Sequence, residues 1–257
     1  MDLVEVDPEQ KNRHPWEAAR FYFIVKLIKK VIKTPSPVIV DIGCGDAHFI
    51  TMLSKLFPGG KFYAIDSAFT SDKIKLLNNS GDNTIEYYDS FESFEDDYVG
   101  KVDLIMLLDV IEHIHDDHLF LKHLFNAAVI TSDTNIIITV PAFYFLFSEH
   151  DVFLKHYRRY TVDSLQTVIG KAGFISIQRG YFFFSLLIPR VGTVLVQKLL
   201  NVKSNQKGLG SWTYNRAITY LFYSLLKADI LFGVFLRRFG LKLPGLSTYT
   251  LCKKSVL

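Results

Sequence analysis

The stretch Val38-Ile39-Val40-Asp41-Ile42-Gly43-Cys44-Gly45-Asp46 joins an apolar, β-branched run to a carboxylate and two glycines, with a helix expected to begin near Asp46. At the carboxyl end of a first strand, such a turn cradles a nucleotide-like ligand. Gly43 and Gly45 let the backbone turn tightly and come close to it. Other acids follow apolar runs: Asp66 after Phe62-Tyr63-Ala64-Ile65, Asp89 after Ile85-Glu86-Tyr87-Tyr88, and Asp109, with Glu112 close by, after Val102 to Leu108. The carboxyl ends of parallel strands surround one crevice, so these acids share a cleft. Such a cleft suits a cation bearing ribose hydroxyls. A dinucleotide is disfavoured, because His48 stands at the third glycine position of G-x-G-x-x-G and Asp46 would repel a pyrophosphate.

The elements that position these acids alternate. Strands are expected at about 38–42, 61–65, 84–88, 102–108 and 135–140, and helices near 46–56, 70–79, 116–130 and 161–172. That is the alternation of a parallel sheet with helical crossovers. A further strand starts at Phe174, and Ser247 to Lys253 reads as a last one. Ahead of them, Trp16, Ala19, Phe23, Leu27 and Val31 recur at helical spacing over 14–33, with Pro15 in the first turn.

Asp41-Ile-Gly-Cys-Gly-Asp, Ala64-Ile-Asp66 and Leu107-Leu-Asp109-Val-Ile-Glu112-His-Ile resemble, in order and spacing, the motifs of class I S-adenosylmethionine-dependent methyltransferases. The resemblance covers roughly 14–180 and the last strand. It implies a doubly wound, Rossmann-like α/β fold whose seven-stranded sheet is mostly parallel with an antiparallel last strand. It also implies S-adenosyl-L-methionine as cofactor. Asp41, Gly43, Cys44 and Gly45 would then surround its methionine part, Asp66 would take the ribose hydroxyls, Asp89 would lie near the adenine amino group, and Asp109 with Val110 would line the opposite wall. Trp16 and Arg20 have the spacing of a pair that covers the cofactor from an N-terminal helix in many such enzymes. Ala47 departs from the pattern, where many members have a third glycine, and is expected in the first helical turn.

A second constellation follows the fifth strand: Phe143 to Phe147, Ser148-Glu149-His150-Asp151, and Lys155-His156-Tyr157-Arg158-Arg159-Tyr160-Thr161, with Thr161 as N-cap of the next helix. It sits at the carboxyl edge of the sheet and reads as an acceptor site. His150, His113 and Tyr157 are the catalytic candidates, since methyl transfer to oxygen uses a base with a pKa near neutrality. His156 is a further candidate base, and a site working by positioning and desolvation alone stays open. Arg158, Tyr144 and His156 are the candidate acceptor contacts, the arginine for an anionic group. His-Tyr-Arg-Arg-Tyr-Thr is similar to a bacterial subgroup of methyltransferases met among enzymes of surface glycan and lipid assembly.

The chain has 257 residues, of which 49% are hydrophobic, and a mean hydropathy of +0.19. Residues 181–257 hold 11 Lys/Arg and one acid, Asp229, a net of +10; residues 1–180 carry a net of −7. The domain division read from this is 1–36 as a cap helix, 37–180 with 247–257 as the cofactor-binding domain, and 181–246 as an apolar, basic helical insertion. Arg190 and the Lys227/Asp229 pair fall near the middle of its two apolar stretches. That fits helices lying in the interface of an anionic leaflet better than spans, with a lid or subunit contact as the other reading. The acceptor is accordingly expected to be amphipathic, lipid-linked or glycan-related; a soluble small molecule or quinone, and a non-catalytic cofactor-binding scaffold, are the alternatives. Cys44 and Cys252 are expected to stay reduced, and the acidic N-terminal stretch is no secretory signal, which places the protein in the cytoplasm, at the inner membrane face if the insertion docks there. No Cys/His spacing suggests a metal site, and no groove-like alternation of aromatics with basic residues suggests nucleic acid. The oligomeric state is left open.

Overall fold

The computed structural model describes residues 13–79, 84–200, 212 and 214–255. Seven strands form one sheet: β1 (Val38–Ile42), β2 (Lys61–Ile65), β3 (Ile85–Tyr88), β4 (Leu104–Leu108), β5 (Asn135–Pro141), β6 (Phe174–Phe182) and β7 (Ser247–Lys254). Their order is β3-β2-β1-β4-β5-β7-β6. The strands β1 to β5 run parallel, and β7 is antiparallel to both β5 and β6. This is the expected seven-stranded, mostly parallel, doubly wound sheet.

Helices cover both faces, so the central strands are apolar on both sides. On β4, Leu104 and Met106 enter one core layer while Ile105 and Leu107 enter the other. The first layer packs under α1 (Pro15–Val31) and α2 (His48–Ser54); the second under α4 (Phe91–Asp97), α5 (Asp117–Asn126) and α7 (Val162–Ala172). A small α3 (Ser71–Asn78) precedes β3, and α6 (Glu149–Phe153) follows β5. Helix α1 buries Ala19, Phe23, Ile24, Leu27 and Ile28, and starts at Pro15 with the His14 ring accepting the Trp16 amide.

Several expectations about elements are corrected, and α6 was not among the expected helices. The α4 helix was not expected, because its seven residues offer only Phe91 and Phe94 as an apolar stripe. The helix expected from Asp46 begins at His48, because Ala47 sits outside it in the left-handed region, at φ +57°. The helix expected to reach 130 ends at Asn126.

The segment between β6 and β7 forms α8 (Phe184–Leu200) and α9 (Arg216–Arg237). Helix α9 packs along α1, with Leu226 and Ile230 buried and the Lys227 ammonium 4.7 Å from the centre of the Tyr22 ring. Its other side exposes Tyr220, Leu221, Phe222, Leu225, Phe232 and Phe235. By length and composition α9 could cross a membrane: its mean hydropathy is 1.5 and only 11% of the apolar window is buried. Arg190 is not isolated within an apolar helix: its guanidinium donates to Ser148 Oγ at 2.7 Å. Asp229 likewise accepts the Ser185 amide at the start of α8.

Candidate functional site

The glycine turn is held by the neighbouring strand. The Gly43 and Cys44 amides both donate to the Ile65 carbonyl, at 2.7 and 3.1 Å, and the Gly45 amide donates to Asp66 Oδ2 at 2.7 Å. Gly43 has φ +71°, and a Cβ there would stand 2.6 Å from Val110 Cγ2. The backbone therefore approaches the β4 loop as closely as only glycine permits. Asp41, at the end of β1, is buried; burial pushes its carboxyl up to about 7, with Asp66 and Asp46 adding to the shift and Arg20 opposing it. Asp46 pairs with Arg13. Although burial alone would raise its pKa, this guanidinium holds Asp46 below the usual carboxylate range.

Across the crevice, Asp109 also adopts a left-handed conformation, at φ +60°. Its amide donates to the Thr139 carbonyl, the Thr139 hydroxyl donates to Asp109 Oδ1 at 3.1 Å, and Arg20 reaches Asp109 Oδ2 at 2.9 Å. The Trp16 ring lies under the Arg20 guanidinium, 5.2 Å away. Asp41, Gly43, Cys44, Gly45, Asp66, Asp109, Val110 and Arg20 thus gather at the carboxyl ends of β1, β2 and β4, with Trp16 one turn away. Asp89 stands apart on the surface at the end of β3, where it accepts the hydroxyls of Ser90 and Ser93 at the start of α4.

The second constellation is organised by a residue the sequence reading passed over. Asp151 is fully buried. Its Oδ1 accepts from His156 Nδ1 at 2.9 Å and Arg159 Nε at 2.7 Å; its Oδ2 accepts the Ser148 amide at 2.9 Å. Burial opposes its charge, but the His156 and Arg159 contacts outweigh it and hold the carboxyl far below its ordinary range. The Ser148-x-x-Asp151 spacing of a capping box was the available signal. Burial, followed by the charge of Arg190, lowers the pKa of neighbouring His150, so its imidazole is neutral at physiological pH. Arg158 turns to Asp117 at 3.1 Å and the His115 carbonyl at 2.6 Å. Tyr157 and Tyr144 are exposed, Tyr157 with its ring against His115.

The fold also gathers a group of potential ligands that no sequence spacing shows. Potential ligand atoms of Glu112, His113 and His156 lie within 4.8 Å of one another, contributed by two segments that the Tyr157 amide joins through the Glu112 carbonyl at 2.8 Å.

The family model of a methyltransferase domain matches residues 16–178. The chain belongs to the class I S-adenosylmethionine-dependent methyltransferases. None of the curated proteins matches the sequence. Among solved structures, the fold is similar to a phosphoethanolamine N-methyltransferase 2 from Haemonchus contortus in complex with phosphomonomethylethanolamine and S-adenosylhomocysteine (TM-score 0.53, 13% identity, 91% of this chain and 53% of that one). It is also similar to a plantazolicin methyltransferase complexed with a substrate analogue and S-adenosylhomocysteine (0.55, 14%, 94% and 86%), and to a methyltransferase from Archaeoglobus fulgidus (0.50, 15%, 93% and 97%). The chain spans about half the length of the Haemonchus enzyme.

Proposed function

We propose that this enzyme methylates an oxygen of an amphipathic acceptor, lipid-linked or lipid-like, presented at an anionic membrane surface. The single observation that carries the reading is the outward face of α9: Tyr220, Leu221, Leu225, Phe232 and Phe235 stay exposed between the basic ends Arg216 and Arg237-Arg238. A helix with an apolar face and cationic ends partitions into the headgroup boundary of anionic bilayers.

In this reading the Gly43–Gly45 turn and Asp109 would hold S-adenosylmethionine, with Asp41 contributing to its cationic end, Asp66 to its ribose and Asp89 to its adenine. Trp16 and Arg20 close over it. The acceptor enters beside His150, His113, His156, Tyr157 and Tyr144. The bound cofactor would supply an electrophilic methyl group to the acceptor oxygen, leaving as the neutral thioether, and neutral His150 would take the acceptor's proton. Loss of the sulfonium charge weakens the hold of the acidic strand ends on the product.

A soluble acceptor under a helical lid is the second reading. The Arg190–Ser148 bond and the packing of Trp212 on His14 at 4.7 Å favour it, since both tie the insertion to the site. Flotation with anionic and neutral vesicles, at low and high salt, separates the two. Salt-sensitive binding to anionic vesicles that is lost in Phe232→Ser/Phe235→Ser supports the membrane reading; absence of binding to any vesicle overturns it.

A further inference from the structure

Glu112 is completely buried, and neither of its carboxylate oxygens has a hydrogen-bond partner. A desolvated carboxylate in this condition is costly unless a proton or a cation compensates it. The groups gathered around it are metal-ligating ones. His113 follows it in the chain, and the His113 and His156 rings meet edge to face at 4.5 Å. His156 donates Nδ1–H to the buried Asp151 carboxylate at 2.9 Å. That bond fixes the tautomer and leaves the Nε2 lone pair available, in the carboxylate–histidine–metal relay found behind metal-bound imidazoles.

We propose that Glu112, His113 and His156 bind a divalent cation of the zinc, manganese or iron class, and that its open positions take the oxygen of the methyl acceptor. Two imidazoles and one carboxylate suit borderline divalent ions better than magnesium or calcium. Three protein ligands leave the free positions that catalytic sites use. The segments carrying the ligands are already pinned by the Tyr157–Glu112 backbone bond and by Arg159, which joins Asp151 to the Ala142 carbonyl.

The chemical consequence rests on the methyltransferase reading above. A hydroxyl bound to the cation loses its proton more readily, and the proton passes to His150 or to solvent. The oxygen is then nucleophilic before the methyl group arrives.

The test is titration of the chelator-treated protein with Co2+, followed by visible absorption, and with Zn2+, followed by calorimetry. The expected result is one equivalent bound, with affinity reduced at least about tenfold in Glu112→Gln and in His156→Ala, and unchanged in His118→Ala, which alters an exposed histidine of α5. The wild-type stoichiometry needs no variant: failure to bind one equivalent of either ion overturns the proposal, as does undiminished affinity in both ligand variants. Binding of S-adenosylhomocysteine to the wild-type protein is measured in parallel. A failure of the cofactor reading shows there, and a failure of the metal site shows in the Co2+ titration.

Discussion

Arg20 of α1 and Asp109 at the end of β4 face each other at 2.9 Å, and both hold the hydroxyl of Thr139, Arg20 at 2.8 Å. Three elements distant in sequence are thereby closed over one edge of the sheet. Replacing Arg20 by alanine leaves Asp109 beside buried Glu112 without its counter-charge, at a cost on the order of 3 kcal/mol. The expected outcome of Arg20→Ala is a lower melting temperature together with at least about tenfold weaker S-adenosylhomocysteine binding by calorimetry. Arg20→Lys keeps the charge but loses the fork, and recovers stability more than affinity.

Gly43→Ala meets two separate obstacles. The added methyl lands on Val110 Cγ2, and φ +71° is strained for any residue with a Cβ by about 1–2 kcal/mol. Combining it with Val110→Ala removes the collision and leaves the dihedral. Thermal unfolding of both variants should therefore show a partial rescue; full rescue would mean that the strain plays no part.

Cofactor affinity is expected to depend on pH through Asp41. Its folded pKa, about 7, lies above the ordinary 3.8. Stability from the buried neutral carboxyl is fully present below about pH 4 and is lost as pH rises through about 7. A cationic ligand prefers the ionised form, so its affinity rises over that range and levels off above about 8. The melting-temperature difference between cofactor-bound and free protein should widen between pH 6 and 8. Asp41→Asn should flatten that dependence and weaken binding at pH 8 by about tenfold, the worth of one charge-assisted contact.

The acidic crevice was legible because its signals are local: Asp41 lies at the end of β1, Asp66 and Asp109 each follow their strand by one residue, and the strand order brings the three together. Ala47 shows where local reading fails. Its left-handed dihedral is imposed by the turn, so the missing glycine, expected in the first helical turn, stands instead at the helix boundary, where a Cβ is disfavoured. The cluster around Asp151 was harder to read because it is assembled across the fold. Asp151 draws on Ser148, His156 and Arg159, with Arg190 from α8 at 3.9 Å, and no period in the sequence links these positions. The Glu112–His113–His156 group was obscured in the same way, its members lying on either side of α5, β5 and α6.

Asp151→Asn tests that assembly. It weakens the contacts to His156 and Arg159, leaving the buried Arg159 without its counter-ion, at about 3–5 kcal/mol. Unfolding in urea should show a correspondingly lower midpoint. Arg190→Ala, which loses a more peripheral bond to Ser148, should cost less while loosening α8 from the site, seen as faster amide exchange along α8.

The strand β7 lies between β5 and β6, yet it follows both in the chain, after α8 and α9. During synthesis β6 emerges with no strand to pair with, and β5 presents an open edge until the ribosome has released some seventy further residues. Closure of the sheet is therefore a late, long-range step. The apolar helices made in the interval are exposed before their docking surface is complete, the period in which a nascent chain depends on chaperones or a bilayer to keep such surfaces apart.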